Sequence, residues 1–345
     1  MQNKTIRVAI NGAGRIGRAF LKLSQNYSDQ IEIVAINDLG DIDNIAYLIK
    51  YDTAYGSAQF PVSVKDDKSA FLVNGKEVKY LSSPEPASLP WKDLNIDVVI
   101  EASGHFTKFE KAKAHIDAGA KKVVITAPAK DAPVDETQAT ILMGINDEKL
   151  EKCVISSNAS CTTNAAAPLI QILNEKLGIE KAILNTVHGY TASQSVVDGP
   201  NKKDFKEGRA AAQNIVPTST GAAIAVTKAV PDLEGKFDGL AMRVPVVAGS
   251  IADVTFIAKR ETSVEEINQI LKEAAAEARW AGIFAVTEDP IVSSDIVGSL
   301  YGSIGDLGLT RVVGGNLVKV CAWYDNEMGY TATLIKHVLR LGEYL

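Results

Sequence analysis

A glycine-rich loop between a strand-like run and a helix-like run is the feature that most constrains how this chain folds. The loop NGAGRIGR carries Gly12, Gly14 and Gly17 in a GxGxxG pattern. The apolar run Thr5–Ile10 precedes it and the helical pattern Ile16–Asn26 follows. In this setting the first glycine allows a tight turn, the second lets a pyrophosphate approach the backbone, and the third lets helix and strand pack closely. The pattern therefore predicts a dinucleotide-binding unit.

An acidic residue lies at the position where such a unit binds the adenosine ribose. The next strand pattern, Ile31–Asn37, is followed by Asp38. A carboxylate there accepts hydrogen bonds from the ribose hydroxyls and repels a 2′-phosphate, which favours NAD over NADP. A glycine turn beside an unrelated surface aspartate is the alternative interpretation of the same residues.

Strand and helix patterns alternate through the first part of the chain and change character near residue 160. The first part adds strand patterns at 98–100 and 122–125 and helical patterns at 43–50 and 108–118. The second part has strand patterns at 182–187, 241–246, 251–258 and 318–324 and helical patterns at 264–279 and 327–341. The alternation predicts a parallel sheet covered on both faces, followed by a more antiparallel sheet.

We therefore predict an α/β chain with a Rossmann-type parallel sheet domain and an α+β catalytic domain with a mainly antiparallel sheet. The expected bounds are 1–160 with 325–345 for the NAD-binding domain and 161–324 for the catalytic domain. A length of 345 residues is sufficient for two such cores.

Cys161 is a candidate nucleophile because of its position in the chain. It lies in SNASCTTNAAAP, directly before a helical pattern that runs from Ala165 to Leu177. A thiol at a helix N-terminus faces free backbone N–H groups and the positive end of the macrodipole, and both favour the thiolate. The alternative is a buried structural cysteine, the common fate of an isolated one.

His188 is the histidine best placed to serve that thiol as a base. It ends the strand pattern 182–187 within TVHGYT, in the same predicted domain as the cysteine. A structural histidine at a strand end is the competing interpretation. We expect His115 and His337 to be ordinary surface or packing residues, and His105 to neighbour the cofactor.

Composition excludes several other functions. The formal net charge is −6, which argues against a general nucleic-acid or membrane surface. Cys153, Cys161 and Cys321 show no CxxC or metal-ligand spacing, so neither a metal site nor a disulfide is expected. No apolar run is long enough for a membrane span, and a strand starting at Thr5 leaves no room for a signal peptide. A reducing cytoplasm, where the thiols stay free, is the expected compartment.

Six motifs together resemble the sequence pattern of one enzyme family, the phosphorylating glyceraldehyde-3-phosphate dehydrogenases. They are NGAGRIGR, ASCTTN, TVHGYT, PTSTGAA, AMRVP and WYDNEMGY, in the family's order from Ile6 to the final helix. The resemblance implies NAD as cofactor, glyceraldehyde 3-phosphate and inorganic phosphate as substrates, and a homotetramer. The segment 189–214 resembles the family's S-shaped loop, and Gly199-Pro200 resembles its NAD-type version.

The resemblance also implies a role for particular residues. Cys161 would be the nucleophile and His188 its base. Thr191 and Arg243 would bind the substrate phosphate, Arg209 the inorganic phosphate, and Asn326 the nicotinamide carboxamide. The cofactor contacts it implies are Asn11, Gly12, Gly14, Arg15, Ile16, Gly17, Asp38, Ser103, Thr126, Asn326 and Tyr330. The substrate and phosphate contacts it implies are Ser160, Thr162, Thr191, Arg209, Thr220, Gly221 and Arg243. Taken singly, Arg209 and Arg243 also fit a solvated or ion-paired surface.

The chain departs from the family at three places. Ile224 stands where the family often has a lysine, and Ala165 stands where it commonly has a second cysteine. The run Val246–Ser250 differs from the family's usual sequence after Pro245. None of these removes a group that the chemistry needs, but the last leaves substrate choice and subunit contacts open. Two alternatives follow: an erythrose-4-phosphate dehydrogenase, whose thioester is hydrolysed, and a non-catalytic nucleotide-binding or RNA-associated protein. The presence of both Cys161 and His188, and the negative charge, count against the second.

Overall fold

The computed structural model describes residues 5–202 and 204–345, so Lys203, within the predicted S-shaped loop, lies outside the described residues. The chain forms two compact units. One comprises the residues up to Ala159 together with Leu334–Leu345, and the other comprises Ser160–Thr333.

The first unit is built on a nine-stranded sheet. The strands of this unit are β1 (Ile6–Asn11), β2 (Ile31–Asn37), β3 (Tyr51–Asp52), β4 (Gly56–Ser57), β5 (Val62–Val64), β6 (Ala70–Val73), β7 (Lys76–Leu81), β8 (Val98–Glu101), β9 (Lys122–Ile125), β10 (Gln138–Thr140) and β11 (Ile155–Ser157). Two of them, β3 and β4, form a separate two-stranded ribbon, and the others form the sheet. The sheet order is β10-β11-β9-β8-β1-β2-β7-β6-β5. Pairing is parallel from β10 to β7 and antiparallel at β6 and β5.

Three helices accompany this sheet: α1 (Arg15–Ser24), α2 (Ile42–Lys50) and α3 (Phe109–Asp117). The central strands are nearly continuous runs of buried residues, as expected for parallel strands covered on both faces. The core includes Ala9, Trp91, Val99, Phe109 and Val123. This packing fixes the carboxyl ends of β1 and β8, and with them the glycine loop and residues 102–106.

The second unit is built on a seven-stranded sheet. Its strands are β12 (Ile179–Gly189), β13 (Val216–Ser219), β14 (Phe237–Val244), β15 (Ser250–Ala258), β16 (Phe284–Thr287), β17 (Ser303–Val313) and β18 (Leu317–Tyr324), in the order β13-β14-β12-β15-β18-β17-β16. The helices that lie wholly within this unit are α4 (Cys161–Leu177), α5 (Ala222–Ala229) and α6 (Val264–Ala275). Four of the six strand pairs are antiparallel, whereas β12 with β14 and β16 with β17 are parallel.

The predicted elements are present, with bounds that differ by a few residues. The strand predicted at 241–246 spans Phe237–Val244, and the helix predicted at 264–279 ends at Ala275. A short 3-10 helix, Ala278–Trp280, follows that end. The sequence did not predict β3 to β7, β10, β11, β13, β16, β17 or α5. Except for β17, these strands are short, so each offers too few residues for a clear period-two pattern.

The last helix, α7 (Met328–Gly342), contributes residues to both units. The first unit takes up the chain again at Leu334, whereas the sequence predicts 325. The reason is local bonding of residues 325–333 within the second unit: Asp325 accepts a hydrogen bond from the Gly298 N–H at 2.7 Å, and Gly329 lies against the carbonyl of Tyr301.

Candidate active site

Cys161 is the first residue of α4, as the sequence predicts. The helix begins there because Ser160 caps it: the Ser160 Oγ accepts a hydrogen bond from the Thr163 N–H at 3.1 Å. The helix packs against β15 and β18, and its first turns are almost wholly buried. This burial holds the cysteine at the end of a rigid element rather than on a loop.

His188, near the end of β12, lies beside that cysteine. Its Nε2 is 3.3 Å from the Cys161 Sγ. Its Nδ1 is 2.6 Å from the carbonyl oxygen of Gly189, which can only accept, and also contacts the Arg243 guanidinium, which can only donate. In the tautomer with its proton on Nδ1, donated to that carbonyl, the Nε2 lone pair faces the thiol, as a general base requires. The structure thus joins two residues that lie 27 positions apart in the chain.

Burial shifts the pKa of both members of the pair. Burial raises the pKa of the Cys161 thiol above its ordinary value, although the Arg243 guanidinium and hydrogen bonding with Thr162 oppose the rise. Burial, assisted by the positive charge of Arg243, lowers the pKa of His188 to about 3. Desolvation thus opposes the thiolate that the helix N-terminus is expected to favour.

Arg243 is placed next to His188 by strand pairing. Because β12 and β14 run parallel, Arg243 lies directly opposite His188 in the register. Its guanidinium contacts the His188 Nδ1 and lies 3.3 Å from the Gly189 carbonyl oxygen. Its Nε is buried and has no hydrogen-bond partner among the described residues. An unpaired buried donor beside the thiol is what an incoming phosphate oxygen would satisfy.

Tyr324, to which the sequence analysis assigned no role, packs against His188 and bonds to residues next to the cysteine–histidine pair. Its hydroxyl bonds to the Thr162 Oγ1 at 2.9 Å and to the Thr186 Oγ1 at 2.7 Å. Its ring meets the His188 ring edge-on, with centroids 5.8 Å apart. The hydroxyl of Thr162, expected at the inorganic phosphate, is therefore bonded inward. The signal that could have revealed the tyrosine is its place in the WYDNEMGY motif.

Asn326 is held in one orientation by its neighbours. Its Oδ1 accepts hydrogen bonds from the Gly249 N–H at 3.2 Å and from the Ser250 Oγ at 3.0 Å. Ser250 in turn accepts from the Gly189 N–H at 3.1 Å. The Asn326 amide is thus tied, through Ser250, to the backbone that carries His188.

The other expected substrate residues have less direct placements. Thr191 bonds to Ser193 and Gln194, and the Thr220 Oγ1 accepts from the Ala222 N–H. Gly221 caps the start of α5. Arg209 forms an exposed ion pair with Asp198, whose Oδ2 is 2.9 Å from the Arg209 Nε. Tyr330 is buried in the first turns of α7.

The glycine loop of the first unit has the shape that a dinucleotide needs. Gly12 adopts φ +102°, and a Cβ on it would lie 2.6 Å from the Ser103 nitrogen. A Cβ on Gly17 would lie 2.0 Å from the Gly12 oxygen, whereas nothing stands within 4 Å of one on Gly14. The first and third glycines are therefore required by packing, and the second leaves open backbone at the N-terminus of α1.

A cavity of about 460 Å³ opens beside this loop. Its lining residues are Asn11, Gly12, Gly14, Asn37, Asp38, Leu39, Ser83, Pro84, Ala102, Ser103, His105 and Phe106. Asp38 accepts from the Ala13 N–H at 2.7 Å and from the Gly40 N–H at 2.8 Å, so its carboxylate is fixed at the rim. The size, the open backbone and the fixed acid fit an adenosine and its pyrophosphate.

Two expected cofactor residues point elsewhere in the first unit. The guanidinium of Arg15 binds the carboxylate of Asp52 through two hydrogen bonds, at 2.8 and 3.3 Å. The hydroxyl of Thr126 donates to the Glu101 carbonyl at 3.0 Å. Ile16 is half-buried in the first turn of α1. Arg15 and Ile16 lie in the first turn of α1, so their backbone N–H groups belong to the helix N-terminus that follows the glycine loop.

A glycine-loop unit shaped for a dinucleotide and a unit carrying a cysteine–histidine pair are the features of an NAD-dependent oxidoreductase. Comparisons with known proteins narrow this class. Residues 6–109 match the family description "Glyceraldehyde 3-phosphate dehydrogenase, NAD binding domain", and residues 160–326 match "Glyceraldehyde 3-phosphate dehydrogenase, C-terminal domain".

Several curated relatives cover nearly the whole chain. A glyceraldehyde-3-phosphate dehydrogenase of Clostridium acetobutylicum is 50% identical over 96% of both chains. One from Streptomyces coelicolor is 47% identical over 99% of this chain and 100% of its own length. The chain belongs to the glyceraldehyde-3-phosphate dehydrogenase family. The sequence-based assignments of family, fold class and NAD are confirmed.

The described residues contain neither a metal-binding cluster nor a membrane-spanning helix. Within 5–202 and 204–345, no group of three or more histidine, cysteine, aspartate or glutamate side chains could hold a metal ion. In the same ranges, no helix is both long enough and apolar enough to cross a membrane.

Proposed function

We propose that this chain oxidises glyceraldehyde 3-phosphate to 1,3-bisphosphoglycerate, with Cys161 as nucleophile and His188 as base. The observation that carries the proposal is the 3.3 Å contact between the Sγ and the Nε2, with a buried, unpaired Arg243 Nε beside it. A thiol, a base and a cation for an anionic substrate are the groups that such a reaction needs.

The first step transfers a proton within the pair. As the Cys161 sulfur attacks the aldehyde carbon, its proton passes to the His188 Nε2 and then to the new alkoxide, which leaves a hemithioacetal. The helix N-terminus, including the Cys161 N–H, stabilises the oxygen while it carries charge.

In the second step His188 takes the hydroxyl proton of the hemithioacetal as a hydride leaves the same carbon, and a thioester remains on Cys161. NAD, when bound, supplies the hydride acceptor. An oxygen of inorganic phosphate then attacks the thioester carbonyl and releases the Cys161 sulfur, which recovers a proton from His188, so the product is an acyl phosphate. We assign the substrate phosphate to Arg243 and Thr191, and the inorganic phosphate to Arg209, Thr162, Thr220 and Gly221.

Phosphate dependence tests this proposal against its nearest alternative. With glyceraldehyde 3-phosphate and NAD, steady NADH formation should require inorganic phosphate, and in its absence the enzyme should stop after about one turnover per Cys161. The measurement is NADH absorbance with and without phosphate. Steady turnover without phosphate, faster with erythrose 4-phosphate, would instead identify a hydrolytic enzyme, and no NADH from either sugar would favour a non-catalytic nucleotide-binding protein.

We also propose that residues 1–160 and 325–345 bind the cofactor and that residues 161–324 carry out the substrate chemistry. The glycine loop of the first unit and the cysteine–histidine pair of the second support this division. A reducing, cytoplasmic location agrees with three free cysteines and with a reaction whose nucleophile must remain a free thiol. The net charge of −6 gives no support for nucleic acid as a partner.

We further propose a homotetramer, in which a second copy covers an exposed apolar face of the second unit. Ile183 and Ile224 are 56% and 58% exposed, and Leu317 is 42% exposed. All three line a shallow cavity of about 780 Å³. Apolar patches of this kind on a folded chain commonly mark interfaces.

Light scattering of the whole chain in solution measures its mass and should give four copies. Ile183→Asp should lower that mass, because a charge would be buried at the interface. Val134→Asp is the matched control, since Val134 is 80% exposed in the other unit, and it should leave the mass unchanged. A wild-type mass equal to one chain would contradict the proposal.

A further inference from the structure

A buried carboxylate lies directly behind the dinucleotide cavity. Glu101 is the last residue of β8 and is 1% exposed. It follows a run of three fully buried apolar residues in the parallel sheet. Burying a carboxylate is costly unless hydrogen bonds replace the lost water, so its surroundings need an explanation.

Four neutral donors converge on the two oxygens of Glu101. The Oε2 accepts from the Asn11 Nδ2 at 2.6 Å and lies 3.0 Å from the His115 Nε2. The Oε1 accepts from the Ser103 N–H at 2.9 Å and from the Ser103 hydroxyl. A carboxylate that accepts four such bonds is well stabilised without a cation.

The donor from His115 is fixed by a second buried residue. The Trp91 indole N–H donates to the His115 Nδ1 at 3.0 Å, and both side chains are fully buried. Because an indole nitrogen can only donate, the His115 Nδ1 must be the acceptor. The ring is therefore neutral with its proton on Nε2, pointing at Glu101. The sequence-based expectation that His115 is an ordinary surface or packing residue is wrong in this respect, since it belongs to a buried polar chain.

The same chain of bonds reaches the walls of the cavity. Asn11 and Ser103, both held by Glu101, line it. The Asn11 Oδ1 accepts from the Asn37 Nδ2 at 2.7 Å, and Asn37 exchanges hydrogen bonds with the backbone of Ser83, another lining residue. One carboxylate thus holds the end of β1, the loop after β8 and, through Asn37, the segment after β7.

We propose that Glu101 is a positioning residue for dinucleotide binding, with Trp91 and His115 fixing the donor that completes its shell. Its role is to hold Asn11 and Ser103 where the cavity needs them, and the inference rests on the NAD-dependent function given above. The binding energy of NAD is then not spent on ordering these walls, which is the general benefit of a pre-formed site.

Glu101→Gln tests the proposal with almost no change in shape. A glutamine has one acceptor oxygen, so whichever way its amide faces, its NH₂ meets donors from Asn11 and His115 or from Ser103. Leaving buried donors unpaired should weaken NAD binding by about tenfold or more. The readout is the NAD dissociation constant of the whole chain by titration calorimetry, together with the KM for NAD, which should rise while kcat changes little.

A control variant separates positioning from general stability. Lys122 is buried at the start of β9 and bonds to the Cys153 carbonyl, in the same unit but outside the cavity lining. Lys122→Met should change thermal stability but leave NAD affinity within about twofold. If Glu101→Gln is folded and binds NAD as tightly as the wild type, the positioning role is refuted.

A second pair of variants keeps the test decisive if Glu101→Gln does not fold. His115→Phe keeps a ring but removes both hydrogen bonds, so NAD affinity should fall and the Trp91 indole N–H resonance should shift. His115→Gln can still donate to Glu101 and accept from Trp91, and it should restore most of the affinity. Equal affinities for the two would overturn the proposal, whereas NAD binding without phosphate-dependent turnover would overturn only the proposed function.

Discussion

Replacing Cys161 by serine should abolish turnover while NAD binding persists. The serine hydroxyl is a far weaker nucleophile than a thiol, because it loses its proton far less readily than sulfur does. The loss in kcat should be roughly 10⁴-fold or more, the scale of removing a nucleophile from a catalytic pair. The measurements are NADH formation, and mass spectrometry for a covalent acyl adduct after mixing with substrate and NAD in the absence of phosphate.

Cys153→Ser is the matched control for this experiment. Cys153 is fully buried, and burial raises the pKa of its thiol to about 11. Cys321 is likewise buried, with its pKa raised to about 12. Brief treatment with iodoacetamide should therefore label Cys161 alone, because it is the cysteine with partial exposure. An adduct, or near-normal turnover, in Cys161→Ser would remove the residue from the mechanism.

Replacing His188 by asparagine should slow hydride transfer by roughly 10²–10⁴-fold, the usual scale for loss of a general base. Asparagine keeps polar atoms near the Gly189 carbonyl but cannot take the thiol proton. Alkylation of Cys161 should also require a higher pH than in the wild type. The measurements are single-turnover NADH formation and the pH dependence of alkylation. An unchanged rate together with an unchanged alkylation profile would refute the pairing.

The same variant has a second readout in stability. The pKa of His188 is about 3 in the folded state, against an ordinary value of 6.5. Below pH 6.5 this histidine therefore takes up a proton in the unfolded chain but stays neutral in the folded chain. Stability should therefore fall as the pH drops from about 6.5 towards about 3. His188→Asn should show a shallower fall in melting temperature over this range. His337, also buried with a pKa lowered to about 3, contributes in the same direction, so His337→Gln is the matched control: it should flatten the stability profile without the large kinetic loss.

Local pattern carried the predictions that proved accurate. The three glycines each have a distinct requirement that follows from chain geometry, and Gly12, Gly14 and Gly17 meet it. The start of α4 follows from a serine cap and a run of good helix formers, so Cys161 could be placed before any contact was known. These features depend on residues within a few positions of one another.

Predictions that depended on burial were less accurate. The sequence did not indicate that burial raises the pKa of the Cys161 thiol, because the number of protein atoms around a sulfur cannot be read from its neighbours in the sequence. His115 looked like one polar residue in a charged helix, yet it is enclosed between Trp91 and Glu101. Arg243 and His188 face each other only because two strands that are distant in the chain pair in a particular register.

The sequence by itself determined the family and the dinucleotide loop, and it singled out Cys161 and His188 as the proposed nucleophile and base, because each is encoded in short contiguous motifs with a fixed spacing. Only the tertiary structure decided the burial of that pair, the partner of Arg243 and the buried shell around Glu101. Desolvation and strand register are sums over residues far apart in the chain, and no local pattern specifies them.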